Sequence, residues 1–260
     1  MGDLHGDRDA TLAALRLGGL VDEAGTWTGG DTILVQTGDT TDRGPDSLGV
    51  ITLLRSLVEP ARAAGGEVVM VNGNHEVMNL MGDWRYVSEA DVAGFGGVGA
   101  RREAFSRDGE VGRFLRSLPV VAMVDDTVFV HGGLTSSFAG LGVDALNTTA
   151  RLHYDDALED RHPVHDENGP TWYRGYVTDP PEQACPHLER ALAAVGGRRM
   201  VVGHTTQRTG DVLTRCDGRL AVIDVGISAH YGGHVGVWEW VGDDARFLTP
   251  AGPVDLVDPG

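Results

Sequence analysis

Five short polar motifs lie in order along the chain: Gly2-Asp3-Leu4-His5-Gly6, Gly38-Asp39-Thr40-Thr41-Asp42-Arg43-Gly44, Gly73-Asn74-His75-Glu76, His131-Gly132-Gly133 and Gly203-His204-Thr205. Asp3, His5, Asp39, Asn74, His131 and His204 are oxygen and nitrogen donors of the kind that hold divalent metals. Two such ions about 3.5–4 Å apart activate a water and clamp the attacking and leaving oxygens of an in-line displacement at phosphorus. The pair needs one carboxylate shared by both ions, and Asp39 is the natural bridge. Asp3 and His5, two residues apart, can both turn toward one ion. Asn74, His131 and His204 complete the other, where an amide oxygen avoids excess negative charge. Glycines flanking each motif let the backbone turn sharply beside the ions.

The same motifs carry groups for the phosphate itself. Arg43 can aim a planar fork at phosphate oxygens. His75 follows Asn74 directly, so it faces the site without being needed as a ligand. With Asp42 as partner, its imidazolium would be held ready to protonate a leaving oxygen. Arg174, within Trp172-Tyr173-Arg174-Gly175, offers a second clamp in an aromatic setting. Singly, each piece has a plainer reading: a GD dipeptide is usually a turn, and a lone histidine usually a hydrogen-bonded structural residue. Independent turns would not arrive in this order with these neighbours.

Hydrophobic periodicity shows what positions these groups. Helical spacing predicts helices over residues 9–20 and 48–64. Short buried strands are predicted over 31–36, 67–71 and 198–202, and a hairpin over 120–125 and 127–130. Alternation over 220–240 predicts closing strands, with Trp238 and Trp240 as packing residues. Four motifs therefore follow an apolar run at its carboxyl end, where open α/β sheets gather their ligands. Asp3 lacks such a run, so the first strand is expected to be missing at the N-terminus, through a late start or a trimmed chain. Residues 78–118 and 144–192 are expected as insertions that shape a cleft. With no internal repeat, 1–260 is expected to form one domain.

A formal net charge of -17 argues against nucleic acid as a partner, because its backbone needs clustered Lys and Arg. A phosphate site on such a chain must be made locally positive by metals and arginines. No apolar run approaches the ~20 residues that span a bilayer, and no charged-then-apolar leader opens the chain. A cytoplasmic protein is expected. Cys185 and Cys216 lack CxxC spacing and read as reduced thiols, a single bridge between them being the alternative. His153, His162, His165, His187 and His234 show no ligand spacing and read as surface or structural residues, while His230 adjoins Tyr231 and stays open. There is no Walker A sequence and no GxSxG elbow.

Together GDLHGD, GDTTDRG, GNHE, HGGL and GHT resemble the calcineurin-like metallophosphoesterase superfamily, in its phosphoprotein phosphatase branch. His5-Gly6-Asp7, Phe95-Gly96-Gly97 with Arg101-Arg102, Trp172-Tyr173-Arg174 and the stretch 227–233 are similar to bacterial Shewanella-like protein phosphatases. The resemblance covers nearly the whole chain. It implies an α/β metallophosphoesterase fold, with two mixed β-sheets packed as a sandwich and flanked by helices. It implies two Mn, Fe or Zn ions on Asp3, His5, Asp39, Asn74, His131 and His204, and attack by a metal-bridging hydroxide with no phosphoenzyme. Arg43 and Arg174 would bind phosphate, His75 with Asp42 would act as the acid, and Tyr231 matches a tyrosine beside the substrate. The implied substrate is a phosphorylated protein or peptide, tyrosine phosphate being favoured over serine or threonine phosphate. A dinucleoside polyphosphate or other small phosphoester is the alternative. A non-catalytic scaffold would leave gaps in the ligand set, and there are none.

Overall fold

The structure is a computed structural model that describes residues 1–154, 164–242 and 244–256. Helix α1 (Arg8–Leu17) opens at Asp7, whose side chain accepts the Ala10 N–H. Strands β1 (Ile33–Gln36) and β2 (Glu67–Met70) pair in parallel through the crossover helix α2 (Ser47–Ala63). Parallel pairing needs such a crossover, and it brings both carboxyl ends to one edge. Four short helices follow: α3 (Asn74–Leu80), α4 (Glu89–Gly94), α5 (Val98–Phe105) and α6 (Glu110–Ser117). The expected hairpin is β3 (Val121–Val124) with β4 (Thr127–Val130). Helices α7 (Ser136–Ala139), α8 (Val143–His153), α9 (Gly175–Thr178) and α10 (Pro181–Val195) lead to β5 (Arg199–Val202), β6 (Leu213–Arg215) and β7 (Leu220–Val222). A 3₁₀ turn at Ala229–Tyr231 precedes the antiparallel strands β8 (Val237–Val241), β9 (Asp244–Thr249) and β10 (Gly252–Asp255).

The two-residue period of a strand sorts these elements into layers. Val128, Val130, Met200, Val202, Leu220 and Val222 face one way, into a cluster with residues of α5, α6, α8 and α10. Their neighbours Phe129, Val201 and Ala221 face the other way, against Val35 of β1 and Trp238 of β8. On its far side β1 turns Leu34 toward Leu15 of α1 and Leu54 of α2, in a cluster with Val237 and Phe247. Each fully buried leucine there contributes roughly 2 kcal/mol. The layering is helix, strand, strand, helix, as expected of the fold. By hydrogen bonding, however, the sheets number three among the described residues, not two: β3-β4-β5-β7-β6, the pair β1-β2, and β10-β9-β8. One strand layer is thus divided into two ladders that share apolar contacts but no pairing.

No strand precedes Asp3 among the described residues. The Met1 nitrogen donates to Val35 O at 2.7 Å, and the Thr37 N–H donates to Met1 O at 3.1 Å. On the opposite flank Gly2 meets Ile223, so closely that a Cβ would lie 2.3 Å from its carbonyl oxygen. This stretch fills the gap between β1 and the end of β7 and delivers Asp3 to the shared edge.

Cys185 and Cys216, expected as thiols, form a disulfide with Cα atoms 5.3 Å apart. It ties α10 to the turn after β6 across 31 residues, a proximity that sequence spacing does not reveal. Closing a loop of this length restricts the unfolded chain and stabilises by about 3 kcal/mol. Ellman titration of denatured, unreduced protein is expected to find no thiol. Reduction is expected to lower Tm by roughly 6–12 °C. Two free thiols before reduction would contradict the bridge.

Candidate active site

The five motifs meet at one edge because their loops are hydrogen-bonded to each other. Leu4 and His5 both donate their N–H to Asp39 O at 2.9 Å, and the Gly44 N–H donates to His5 O at 2.8 Å. The Gly203 N–H donates to His131 O at 2.8 Å. Gly38 and Gly73 permit the closest approach, since a Cβ on Gly38 would sit 2.5 Å from Gly73 N and 2.9 Å from His131 Nδ1. His5, Asp39, Asp42, Arg43 and His204 adopt φ between 44° and 70°. Such left-handed backbone costs side-chain-bearing residues roughly 1–3 kcal/mol each and collects where side-chain direction is functional.

All six candidate ligands are buried. His5, Asp39 and His75 present ligand atoms within 4.8 Å of one another, and so do Asp39, His131 and His204. Asp39 belongs to both groups, as a bridging carboxylate must. A carbonyl can only accept, so the His131 Nδ1–H donates to Thr37 O at 2.8 Å. That leaves Nε2 to face Asp39 Oδ2 at 3.2 Å and Asn74 Oδ1 at 3.0 Å. Likewise the His5 Nδ1–H donates to Thr41 O at 3.1 Å, leaving Nε2 at 3.7 Å from Asp39 Oδ2 and 3.9 Å from Asp3 Oδ2. Anchoring one ring nitrogen on backbone fixes the tautomer that offers the other to a metal. Asp3 in turn accepts the His204 N–H on both oxygens, at 3.2 and 3.1 Å.

Burial, reinforced by Asp224 and Asp39, pushes the Asp3 carboxyl well above the usual range. Burial also raises Asp224, lowers His5 to about 3 and lowers His204 well below its ordinary value. At Asp39 burial again opposes charge, but His131, His75 and His5 outweigh it and hold the carboxyl well below the usual range. Crowded carboxyl groups beside buried imidazoles form a donor set that a divalent cation relieves, so these residues fit a metal pair.

Around this set lies a cleft of about 710 Å³ lined by Arg43, Arg174 and Tyr231. The Arg43 guanidinium lies over Tyr86, its Cζ 3.8 Å from the ring centroid, and its Nε has no hydrogen-bond partner among the described residues. Arg174 donates to His204 O and to Thr205 Oγ1. His75 Nδ1 meets Asp42 Oδ2 at 2.7 Å. Burial would lower this imidazole, but Asp39 and Asp42 outweigh it and raise its pKa. Tyr231 sits 4.8 Å from the His5 ring, carried by a turn in which the Ala229 N–H donates to Asp7 Oδ2 at 2.8 Å. Of the predicted site residues, Asp3, His5, Asp39, Arg43, Asn74, His75, Arg174, His204 and Tyr231 line the cleft, while His131 and Asp42 are buried behind it against Asn74 and His75. His234, read from sequence as surface or structural, lines it too, as does His230. His187 is structural, bonded to the Ser136 N–H and the Tyr173 hydroxyl, and His162 lies outside the described residues.

Tyr86 and Asp224 went unnoticed in the sequence, since no motif contains them. Glu76 ends GNHE, yet its task shows only in three dimensions. It accepts the N–H groups of Asp39, Thr40, Thr41 and Gly73 and both threonine hydroxyls, locking the Asp39 loop to α3. Burial and then Asp39 raise its carboxyl. Glu76→Gln is expected to leave buried N–H donors facing an amide NH₂ and to cost roughly 2–5 kcal/mol. A urea midpoint shift at unchanged m-value measures this. A loss under about 0.5 kcal/mol, typical of neutral surface changes, would refute the clamp.

The family model for calcineurin-like phosphoesterase matches residues 1–208. The chain belongs to that family. This phosphoesterase is 32% identical over 276 residues to Shewanella-like protein phosphatase 2 of Arabidopsis thaliana, spanning 88% of this chain and 70% of that one. It is 35% identical over 266 residues to an uncharacterized protein of Schizosaccharomyces pombe, spanning 96% of this chain and 79% of the relative. Its fold matches the crystal structure of the cold-active protein-tyrosine phosphatase of a psychrophile Shewanella sp., with TM-score 0.87 and 29% identity, over 98% of this chain and 78% of that one. The metallophosphoesterase fold, the hydrolase class and the likeness to Shewanella-like phosphatases are thus as the motifs implied. The phosphoesterase acts on phosphoesters, and members of its family use divalent metal ions. No helix among the described residues is long and apolar enough to cross a membrane.

Proposed function

We propose that this phosphoesterase is a two-metal phosphoprotein phosphatase that prefers tyrosine phosphate. One observation carries the reading: Asp39 is shared by two groups of potential ligands, beside a cleft lined by two arginines and by His75, whose Nδ1 meets the buried Asp42. Asp3, His5 and Asp39 would hold one ion, and Asp39, Asn74, His131 and His204 the other, each being Mn, Fe or Zn. Bound there, the pair supplies an activated water and neutralises charge at phosphorus. The chain does the rest. Arg43, braced on Tyr86, and Arg174, braced on His204 and Thr205, bind the phosphate oxygens. His75, tethered through Nδ1 to Asp42, gives the proton on Nε2 to the leaving oxygen as the ester bond breaks. Tyr231 contacts the substrate. One domain, 1–260, carries all of this, its cleft walled in part by residues 78–118 and 144–192, which contribute Tyr86 and Arg174. The preference for tyrosine phosphate, in a phosphorylated protein or peptide, is supported by the activity named for the Shewanella enzyme. The disulfide favours an oxidising compartment over the cytoplasm.

Comparing kcat/KM for phosphotyrosine, phosphoserine and phosphothreonine peptides and for diadenosine tetraphosphate, with Mn²⁺ present, tests the reading. The phosphotyrosine peptide is expected to lead by about tenfold or more, equivalent to ~1.4 kcal/mol of transition-state binding. A lead for diadenosine tetraphosphate would overturn it.

A further inference from the structure

Behind the acid dyad lies an arginine with no exposed surface. Arg101, on α5, is 0% exposed and is not part of the cleft lining. Its Nε donates to Asp91 Oδ2 at 3.0 Å, and its Nη2 lies 3.6 Å from Asp42 Oδ1. Neither Nη1 nor Nη2 has a hydrogen-bond partner among the described residues. The rings of Phe105, Trp84 and Phe95 surround the guanidinium at 4.4, 4.9 and 5.4 Å. Burying a cation this completely is costly unless carboxylates meet it. Two do, and one of them is the carboxylate that holds His75.

The contacts close into a ring. Asp91 Oδ1 accepts the Ser47 N–H at 2.7 Å, and Ser47 Oγ accepts the Asp42 N–H at 3.1 Å. Arg101 joins the remaining ends, Asp91 and Asp42. Asn79 Nδ2 donates to Asp42 Oδ1 at 2.8 Å, so Oδ2 is the oxygen left for His75. Aromatic walls exclude water from the ring, and the cation's pull on Asp42 is weakly screened.

We propose that Arg101 is a positioning residue for leaving-group protonation. Resting on the phosphatase reading above, it anchors Asp42 so that His75 Nε2 is aimed at the leaving oxygen. Arg101 and Asp42 transfer no proton themselves. The Nε2 proton passes to the leaving oxygen as its bond to phosphorus breaks, and phosphorus gains an oxygen from water.

A residue that only supports the fold lowers turnover of all substrates alike. One that serves proton donation matters most when the leaving oxygen is basic. The test compares p-nitrophenyl phosphate, whose leaving group is acidic, with phenyl phosphate, using Mn-loaded wild type, Arg101→Gln and Arg101→Lys. For Arg101→Gln, kcat on phenyl phosphate is expected to fall on the order of 10²-fold, the lower range for lost general acid catalysis. On p-nitrophenyl phosphate it is expected to fall by only a few-fold, with KM little changed on both. Arg101→Lys, which keeps the charge, is expected to recover part of the phenyl phosphate turnover. Equal losses on the two esters would overturn the role of Arg101 alone. Wild type inactive on both would overturn the phosphatase reading instead. Should Arg101→Gln fail to fold, Ser47→Ala, which removes one bond of the ring, is expected to show the same asymmetry at smaller size. Equal losses there would count equally against the proposal.

Discussion

Asp39→Asn is expected to remove bound metal and turnover together. Asp39 is the one residue common to both ligand groups, and its Oδ1 also accepts the His75 N–H at 3.0 Å. Asparagine keeps the size and that hydrogen bond, so the loop's shape should survive. It loses the charge that two cations need, and the neutral amide bridges metals poorly. Turnover is expected to fall by at least ~10³-fold, beyond the 10²–10³ typical of losing one charge-stabilising donor. Metal analysis of the purified variant is expected to find under about one ion per chain, against two in wild type. A variant that kept two ions would place the bridge on another residue.

Arg43→Ala is expected to cost about 10²–10³ in kcat with metal content unchanged. Stacking on Tyr86 and the bond from the Arg43 N–H to Tyr86 O at 2.9 Å hold the guanidinium over the cleft before substrate arrives. Preorganised charge of this kind stabilises the transition state without reorganisation cost. Arg43→Lys is expected to recover little, because an ammonium neither stacks on the ring nor grips two oxygens at once. Tyr86→Ala is expected to give a smaller loss in the same direction. Steady-state kinetics with Mn²⁺ decide the matter, and near-normal turnover in Arg43→Ala would remove it from the phosphate site.

What was legible in the sequence was whatever the chemistry writes locally. Asp39, Asn74 and His204 follow apolar runs at strand ends, so one geometric rule located them. The hairpin leading to His131 and the helices near 9–20 and 48–64 follow from hydrophobic period, while their caps at Asp7 and Asp46 show only in the structure. What escaped depends on contacts between distant segments. Tyr86 reaches Arg43 from a stretch without a motif, and Arg101 reaches Asp42 across 59 positions. Left-handed backbone at His5, Asp39 and His204 is held by neighbouring loops, since even Asp and His, which enter it more readily than most residues, adopt it only in a minority of cases. The disulfide, only the alternative reading in the sequence, and the split strand layer escape for the same reason: both are set by which faces meet.

Glu76 and Arg101 also show how the site divides its labour. Two parts of the site, the Asp39 loop and the Asp42 carboxylate, are gripped from behind by a buried ionisable side chain. Glu76 holds the loop of Asp39, while Arg101, through Asp91 and Ser47, holds Asp42.

The most direct measurement is a Mn²⁺ titration of chelator-treated protein, following bound metal and phosphotyrosine-peptide turnover in the same samples. Turnover is expected to rise only as the second ion binds and to level off at two ions per chain, as a shared Asp39 requires. Full turnover with one ion, or with none, would contradict a two-metal phosphatase.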